Sequence, residues 1–332
     1  MRAAVIGAGA WGTALADVLA RNGHAVGLWA READVVEGVN ARHENVRFLA
    51  GVPLDPGVVA HGTMEGALRG AALAIFAAPS HVLRHVARDA APHLQRDTVV
   101  AVATKGIERD TLALMTDVVA DAVGHDDVVA LSGPSFAMEV ARRQPTALVA
   151  AARDRAHAVL AQQLLSSSEF RVYTADDVIG VELGGALKNV MAVATGVVDG
   201  LGLGFNARAA LITRGLAEMT RLGVALGAQP ATFAGLAGLG DLVLTCTGAL
   251  SRNRAVGLAI GEGQTLEQAL AGKETVAEGV LNAQSAKALA ARANVEMPIV
   301  DATHRILFEG VTPQAAVAEL MRRELRAEQD GT

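Results

Sequence analysis

Four lysines stand among 29 basic residues, at positions 105, 188, 273 and 287, and two of them sit where proton chemistry is feasible. Arginine stays charged in nearly any protein setting, whereas a buried lysine can lose its proton. Lys188 follows Gly184 and Gly185 by four and three positions, so on a helix all three share a face. Each glycine costs a helix about 1 kcal/mol, so a helix that keeps two of them faces a ligand or another backbone. Lys105 ends an apolar run in Ala103-Thr104-Lys105-Gly106. Gly238-Leu239-Gly240-Asp241 puts a carboxylate among small apolar residues. A buried Asp needs a partner, and Lys188 is a candidate. Ser251-Arg252-Asn253 opens a helical stretch, where hydroxyl, guanidinium and amide groups suit a phosphate. The loop Ser132-Gly133-Pro134-Ser135-Phe136-Ala137 has a turn and small residues that allow a ligand to approach the backbone closely.

The remaining chemical signal is Gly7-Ala8-Gly9-Ala10-Trp11-Gly12. It matches G-x-G-x-x-G between an apolar strand, Arg2–Ile6, and a helical pattern that leads to a second strand, Ala25–Trp29. That context marks a dinucleotide-binding βαβ unit. Gly7 allows the tight turn, Gly9 lets a pyrophosphate approach, and Gly12 permits close helix–strand packing. The end of the second strand selects the cofactor: an acid accepts from the ribose of NAD, and an Arg suits the 2′-phosphate of NADP. Here Arg31 stands at that end, with Glu32 next. Arg31 is the expected adenosine-side contact, which tilts the cofactor toward NADP while NAD stays open.

These residues need elements to position them. Further β-like runs lie at 73–78, 98–103, 128–131, 147–151 and 170–173, mostly separated by helical or polar segments. Strands alternating with helices predict an α/β fold, an N-terminal Rossmann-like doubly wound sheet. From 176 onward the periodicity is helical with almost no β-branched runs, which predicts a C-terminal all-helical domain. The expected division is 1–180 for the dinucleotide and 181–332 for substrate binding and catalysis.

Composition narrows the function classes. Hydrophobic residues make up 51% of the 332 positions, ample for two cores, so disorder is not expected. Aromatics are only 3% and the net charge is −6, which argues against nucleic-acid binding. The single cysteine, Cys246, permits no internal disulfide and fits a reducing, cytoplasmic setting. Residues 1–20 mimic a signal peptide, but Gly7, Gly9 and Gly12 punctuate the apolar run and the pattern continues into a second strand. No apolar run is read as long and unbroken enough to span a membrane. His81 and His85 are one helical turn apart but lack a third ligand, so no metal is expected. A small-molecule substrate is the expected partner, and a homodimer stays open.

Taken together, the motifs resemble the bacterial NAD(P)-dependent glycerol-3-phosphate dehydrogenases over nearly the full length. The resemblance rests on 7–12 with Trp11, Asn40-Ala41-Arg42-His43-Glu44-Asn45, Ala103 to Glu108, Leu131 to Phe136, Glu182 to Val190, Gly238 to Leu242, Ser251-Arg252-Asn253 and Val276-Ala277-Glu278-Gly279. It implies interconversion of sn-glycerol 3-phosphate and dihydroxyacetone phosphate, supplying glycerol 3-phosphate for phospholipid synthesis. It implies that Lys188 is the proton acceptor, assisted by Lys105 and Asp241. It implies substrate contacts from Lys105, Gly133, Ser135, Lys188, Asp241, Ser251, Arg252 and Asn253. The implied cofactor site holds Gly7, Gly9, Ala10, Trp11, Gly12, Arg31, Lys105, Ala137, Arg252, Val276 and Glu278. Two departures stand out: Ala10 replaces a common Ser and Phe48 a common Tyr, so two hydroxyl contacts are in doubt. A 6-phosphogluconate- or hydroxyisobutyrate-type dehydrogenase spaces its Lys and Asn a helical turn apart, whereas Lys188 and Asn189 are adjacent. A dinucleotide-binding redox sensor would leave the lysines and Ser251–Asn253 without a role.

Overall fold

The computed structural model describes residues 1–272, 277–325 and 327–328. Two compact units emerge: residues 1–104 with 114–178, and residues 105–113 with 179–332. The chain therefore does not divide at one point.

The first unit is a single eight-stranded sheet: β1 (Arg2–Ile6), β2 (Ala25–Trp29), β3 (Val58–His61), β4 (Leu73–Phe76), β5 (Val99–Val102), β6 (Val128–Ser132), β7 (Thr146–Ala151) and β8 (Phe170–Ala175). The order is β3-β2-β1-β4-β5-β6-β7-β8. Between them run α1 (Ala10–Arg21), α2 (Ala33–Arg42), α3 (Met64–Leu68), α4 (Leu83–Ala90), α5 (Met115–Val123), α6 (Ala137–Ala141) and α7 (Arg155–Leu165). Central strands such as β4 and β5 are buried at every position, as strands covered on both faces must be. All pairings are parallel except β6 with β7.

The sequence reading missed β3. Its four residues, Val-Val-Ala-His, form a short edge strand between Asp55-Pro56-Gly57 and Gly62, too short for its alternation to stand out. The core is aliphatic, as an Ala-, Val- and Leu-rich composition requires.

The second unit is helical among its described residues: α8 (Val178–Gly200, whose first residue clusters with the sheet unit), α9 (Gly204–Ala225), α10 (Pro230–Phe233), α11 (Asp241–Thr247), α12 (Arg252–Gly261), α13 (Leu266–Leu270), α14 (Glu278–Arg292), α15 (Pro298–Phe308) and α16 (Pro313–Met321). A π turn, Leu236–Gly240, leads into α11. The expectation that no apolar run could span a membrane is corrected. Val178–Gly200 and Pro230–Thr247 are long and apolar enough by length and composition. The first is 83% buried within the protein and carries Glu182 and Lys188, so its apolar surface serves a core.

Glycines let α8 and α12 meet backbone to backbone. A Cβ on Gly257 would lie 1.9 Å from the Val193 carbonyl oxygen, and one on Gly196 would lie 2.1 Å from that of Arg254. Neither partner atom can swing aside. Gly257→Ala should therefore destabilise the protein by about 3 kcal/mol or more, at the upper end for overpacked cores, as read from a urea unfolding midpoint.

Candidate functional site

In the first unit the glycine loop joins β1 to α1. Gly7 has φ +118°, and a Cβ there would lie 2.9 Å from the Ala78 amide nitrogen. A Cβ on Gly12 would lie 1.9 Å from the Gly7 carbonyl oxygen. Both positions exclude any larger residue. Gly9 differs: a Cβ there meets nothing within 4 Å, so the space beside it is open. No side chain caps α1, and the Trp11 indole N–H is buried without a partner among the described residues. Uncapped helix N–H groups, an open glycine face and an orphaned donor fit a dinucleotide pyrophosphate and its neighbours.

Asn45, fully buried, holds this loop from behind. Its amide donates to the Ala8 carbonyl (2.9 Å) and to Thr13 Oγ1 (2.8 Å), and its oxygen accepts from Phe48 N (3.1 Å). Arg31 extends into solvent from the end of β2, and its Nε and Nη2 donate to Glu32 Oε1 at 3.1 and 2.8 Å. Gly133, at φ +140°, follows β6, and the Ser135 hydroxyl donates back to its carbonyl (2.9 Å). Ser132 Oγ is buried without a partner among the described residues. Ala137 opens α6.

In the second unit one carboxylate gathers two ammonium groups. Lys188 Nζ donates to Asp241 Oδ1 at 2.5 Å, and Lys105 Nζ donates to Oδ2 at 2.6 Å. Asp241 is completely buried and Lys188 is 7% exposed. The shared face of Gly184 and Lys188 meets the turn before α11: a Cβ on Gly184 would lie 2.4 Å from the Ala237 carbonyl oxygen. The glycine thus answers to another backbone, and this close approach lets Lys188 reach Asp241. Lys105 arrives on the segment 105–113, where Ile107 N donates to Asn282 Oδ1 (3.4 Å) and Arg292 Nη1 donates to the Thr111 carbonyl (3.1 Å).

Burial lowers the Lys188 pKa to about 8; Asp241 opposes this and Lys105 adds to it. Burial would raise the Asp241 pKa, but the two ammonium groups outweigh it and hold the carboxyl below its usual range.

Thr245 was missed by the sequence reading. Its hydroxyl accepts from Lys188 Nζ (2.8 Å) and donates to the Asp241 carbonyl (2.7 Å). The four-residue spacing from Asp241 puts both on one face of α11 and is the signal that would have found it.

Ser251 caps α12, accepting from Arg254 N at 3.2 Å. Asn253 is buried; its amide donates to Asn189 Oδ1 (2.9 Å) and its oxygen accepts from Gly279 N (2.9 Å). Arg252 between them is exposed. Asn253 thereby ties this turn to the residue after Lys188 and to the start of α14, which Glu278 opens. Val276 lies outside the described residues.

The family comparisons agree with one another. The model for the N-terminus of NAD-dependent glycerol-3-phosphate dehydrogenase matches residues 2–158, and the model for its C-terminus matches 177–318. Glycerol-3-phosphate dehydrogenase (NAD(P)+) of Geobacter sp. strain M21 is 52% identical over 98% of both chains. That of Geobacter sulfurreducens is 54% identical, again over 98% of both. A crystal structure of glycerol-3-phosphate dehydrogenase from Coxiella burnetii is 44% identical with a TM-score of 0.93, covering 97% of this chain and 99% of that one. The chain belongs to the NAD-dependent glycerol-3-phosphate dehydrogenase family.

Proposed function

We propose that this chain interconverts sn-glycerol 3-phosphate and dihydroxyacetone phosphate with NAD(P)+ and NAD(P)H, with Lys188 exchanging the proton. The observation that carries this reading is the buried Lys105–Asp241–Lys188 cluster. The bound nicotinamide supplies a hydride acceptor or donor for carbon 2 of the substrate. A free lysine, with a pKa of about 10.4, is a poor base near neutrality. With its pKa lowered to about 8, Lys188 has access to both forms. As an amine it takes the hydroxyl proton in oxidation; as an ammonium it protonates the developing alkoxide in reduction. Lys105 adds positive charge where that alkoxide forms. Asp241 fixes both ammonium groups, and Thr245 fixes Lys188 from another side.

Ser251, Arg252 and Asn253 anchor the substrate phosphate, an assignment supported by their place on the first turn of α12. In the first unit, Gly133 and Ser135 contact substrate, and Gly7, Gly9, Ala10, Trp11, Gly12, Arg31 and Ala137 hold the dinucleotide. In the second unit, Lys105, Arg252, Val276 and Glu278 are the residues assigned to cofactor contacts. The product would feed phospholipid synthesis in the cytoplasm. The test is nicotinamide absorbance during dihydroxyacetone phosphate reduction. Turnover is expected with both NADH and NADPH, and no oxidation of either would sink the reading.

Arg31 sets the tilt toward NADP. Arg31→Ala should lower kcat/KM for NADPH about tenfold, the loss of one Arg–phosphate contact, and leave NADH within about twofold. Equal losses for both would remove Arg31 from the 2′-phosphate.

A further inference from the structure

Asp199 is a carboxylate the proposed chemistry does not use, yet it collects three hydrogen bonds and one further close ion-pair contact. Arg208 donates to Oδ1 through Nε (2.7 Å) and Nη2 (2.5 Å). Arg254 donates to Oδ2 through Nε (2.8 Å), with Nη2 at 2.7 Å. The Asp199 side chain is 6% exposed and the two arginine side chains 23% and 21%. Charge-assisted forks of this kind fix geometry as well as charge.

The placement runs against helix electrostatics. Asp199 lies in the last turn of α8, where carbonyl ends disfavour an anion. Arg254 lies in the first turn of α12, where N–H groups disfavour a cation. Neither residue serves its own helix. Together they tie α12 to α8, while Arg208 brings in α9. Arg254 is also the residue whose backbone N–H the Ser251 hydroxyl accepts, so its position sets that of the cap. Asn253, its neighbour, holds Asn189 and Gly279. Two successive residues, Asn253 and Arg254, thus fix the turn bearing Ser251 and Arg252 to α8 and α14, and of that turn only Arg252 is left exposed.

We infer that Asp199, Arg254 and Arg208 form a positioning clamp that holds the Ser251–Asn253 turn in register for the substrate's phosphate. The inference rests on the phosphate role proposed for that turn. None of the three touches the reacting atoms. The clamp therefore governs how much the phosphate contributes to substrate capture, and leaves proton exchange at Lys188 and the cofactor contacts of the first unit alone.

The test compares dihydroxyacetone phosphate with dihydroxyacetone, which carries no phosphate, in the full-length enzyme. In Asp199→Asn, KM for dihydroxyacetone phosphate should rise at least tenfold, with kcat and the coenzyme KM within about threefold. The kcat/KM for dihydroxyacetone should stay within about twofold, and the preference for the phosphorylated substrate, the ratio of the two kcat/KM values, should fall about tenfold. Arg254→Lys keeps the charge and removes the fork, and should lower the preference at least threefold. It decides the matter if Asp199→Asn does not fold. A preference unchanged within twofold in the variants that fold, however far their melting temperatures drop, overturns the clamp. A parent enzyme that does not prefer the phosphorylated substrate overturns instead the phosphate reading on which the clamp stands.

Discussion

Lys188→Ala should lower kcat at least a thousandfold in both directions while NADPH affinity, measured by fluorescence titration, stays within about twofold. General acid–base catalysis is worth roughly 10²–10⁴ in rate, and Lys188 is the group proposed to carry the proton. Near-normal turnover would remove Lys188 from that role. The pH profile adds a signed expectation. Lys188 has a pKa lowered to about 8 by burial, so its ammonium form declines as pH rises through that value. Reduction, which needs the ammonium, should fall in kcat/KM above about pH 8. Oxidation, which needs the amine, should rise over the same range. The free-enzyme profile is the one that reports this group.

Asp241→Asn should cost both activity and stability. The parent carboxylate is fully buried between two ammonium groups at 2.5 and 2.6 Å. An amide leaves those cations facing each other without a counter-charge. Losing one partner of a buried ion pair costs about 3–5 kcal/mol, and turnover should drop at least a hundredfold. The sign of the pH dependence follows from Lys188. Its folded pKa is depressed, so the associated stability is present at high pH and lost as pH falls through the folded value. The variant loses the anion that raised this pKa, so its Lys188 neutralises at lower pH than the parent's. The part of the deficit owed to Lys188 should therefore shrink as pH rises through about 8, where the parent's Lys188 also becomes neutral. Urea titrations at pH 7 and pH 9 measure it. An equal deficit at both pH values would show that packing, not charge, makes the loss.

Much of this was legible in the residues. The glycine loop and the first two strands follow from spacing alone, because G-x-G-x-x-G between strand and helix leaves few alternatives. The pairing of Lys188 with Asp241 was a matter of cost: a buried charge must be matched, and lysines are scarce. Lys105 was harder. Only the fold carries position 105 to within 2.6 Å of position 241, and no local period encodes that. β3 escaped because four residues at a sheet edge make a weak alternation. Asp199 escaped because charged residues at helix ends read as solvated surface until two distant arginines converge on one. The hydropathy of α8 was underrated because its glycines, lysine and glutamate interrupt the pattern in sequence but not in the helix.

The nine residues 105–113 belong with the helical unit although sheet residues flank them on both sides. This bears on how the chain is made. Asp241 leaves the ribosome 136 residues after Lys105, a delay on the order of ten seconds at about 5–20 residues per second. Through that interval Lys105 has no carboxylate to meet, and Ile107 waits longer still for Asn282, 175 positions on. The sheet unit, whose last residue is 178, can close its ladder first, holding 105–113 as a tethered loop. No single cut would yield a helical fragment carrying both lysines without part of the sheet. Gene fragments split near residue 178 should regain the Lys105–Asp241 pair only by reassembly of both pieces.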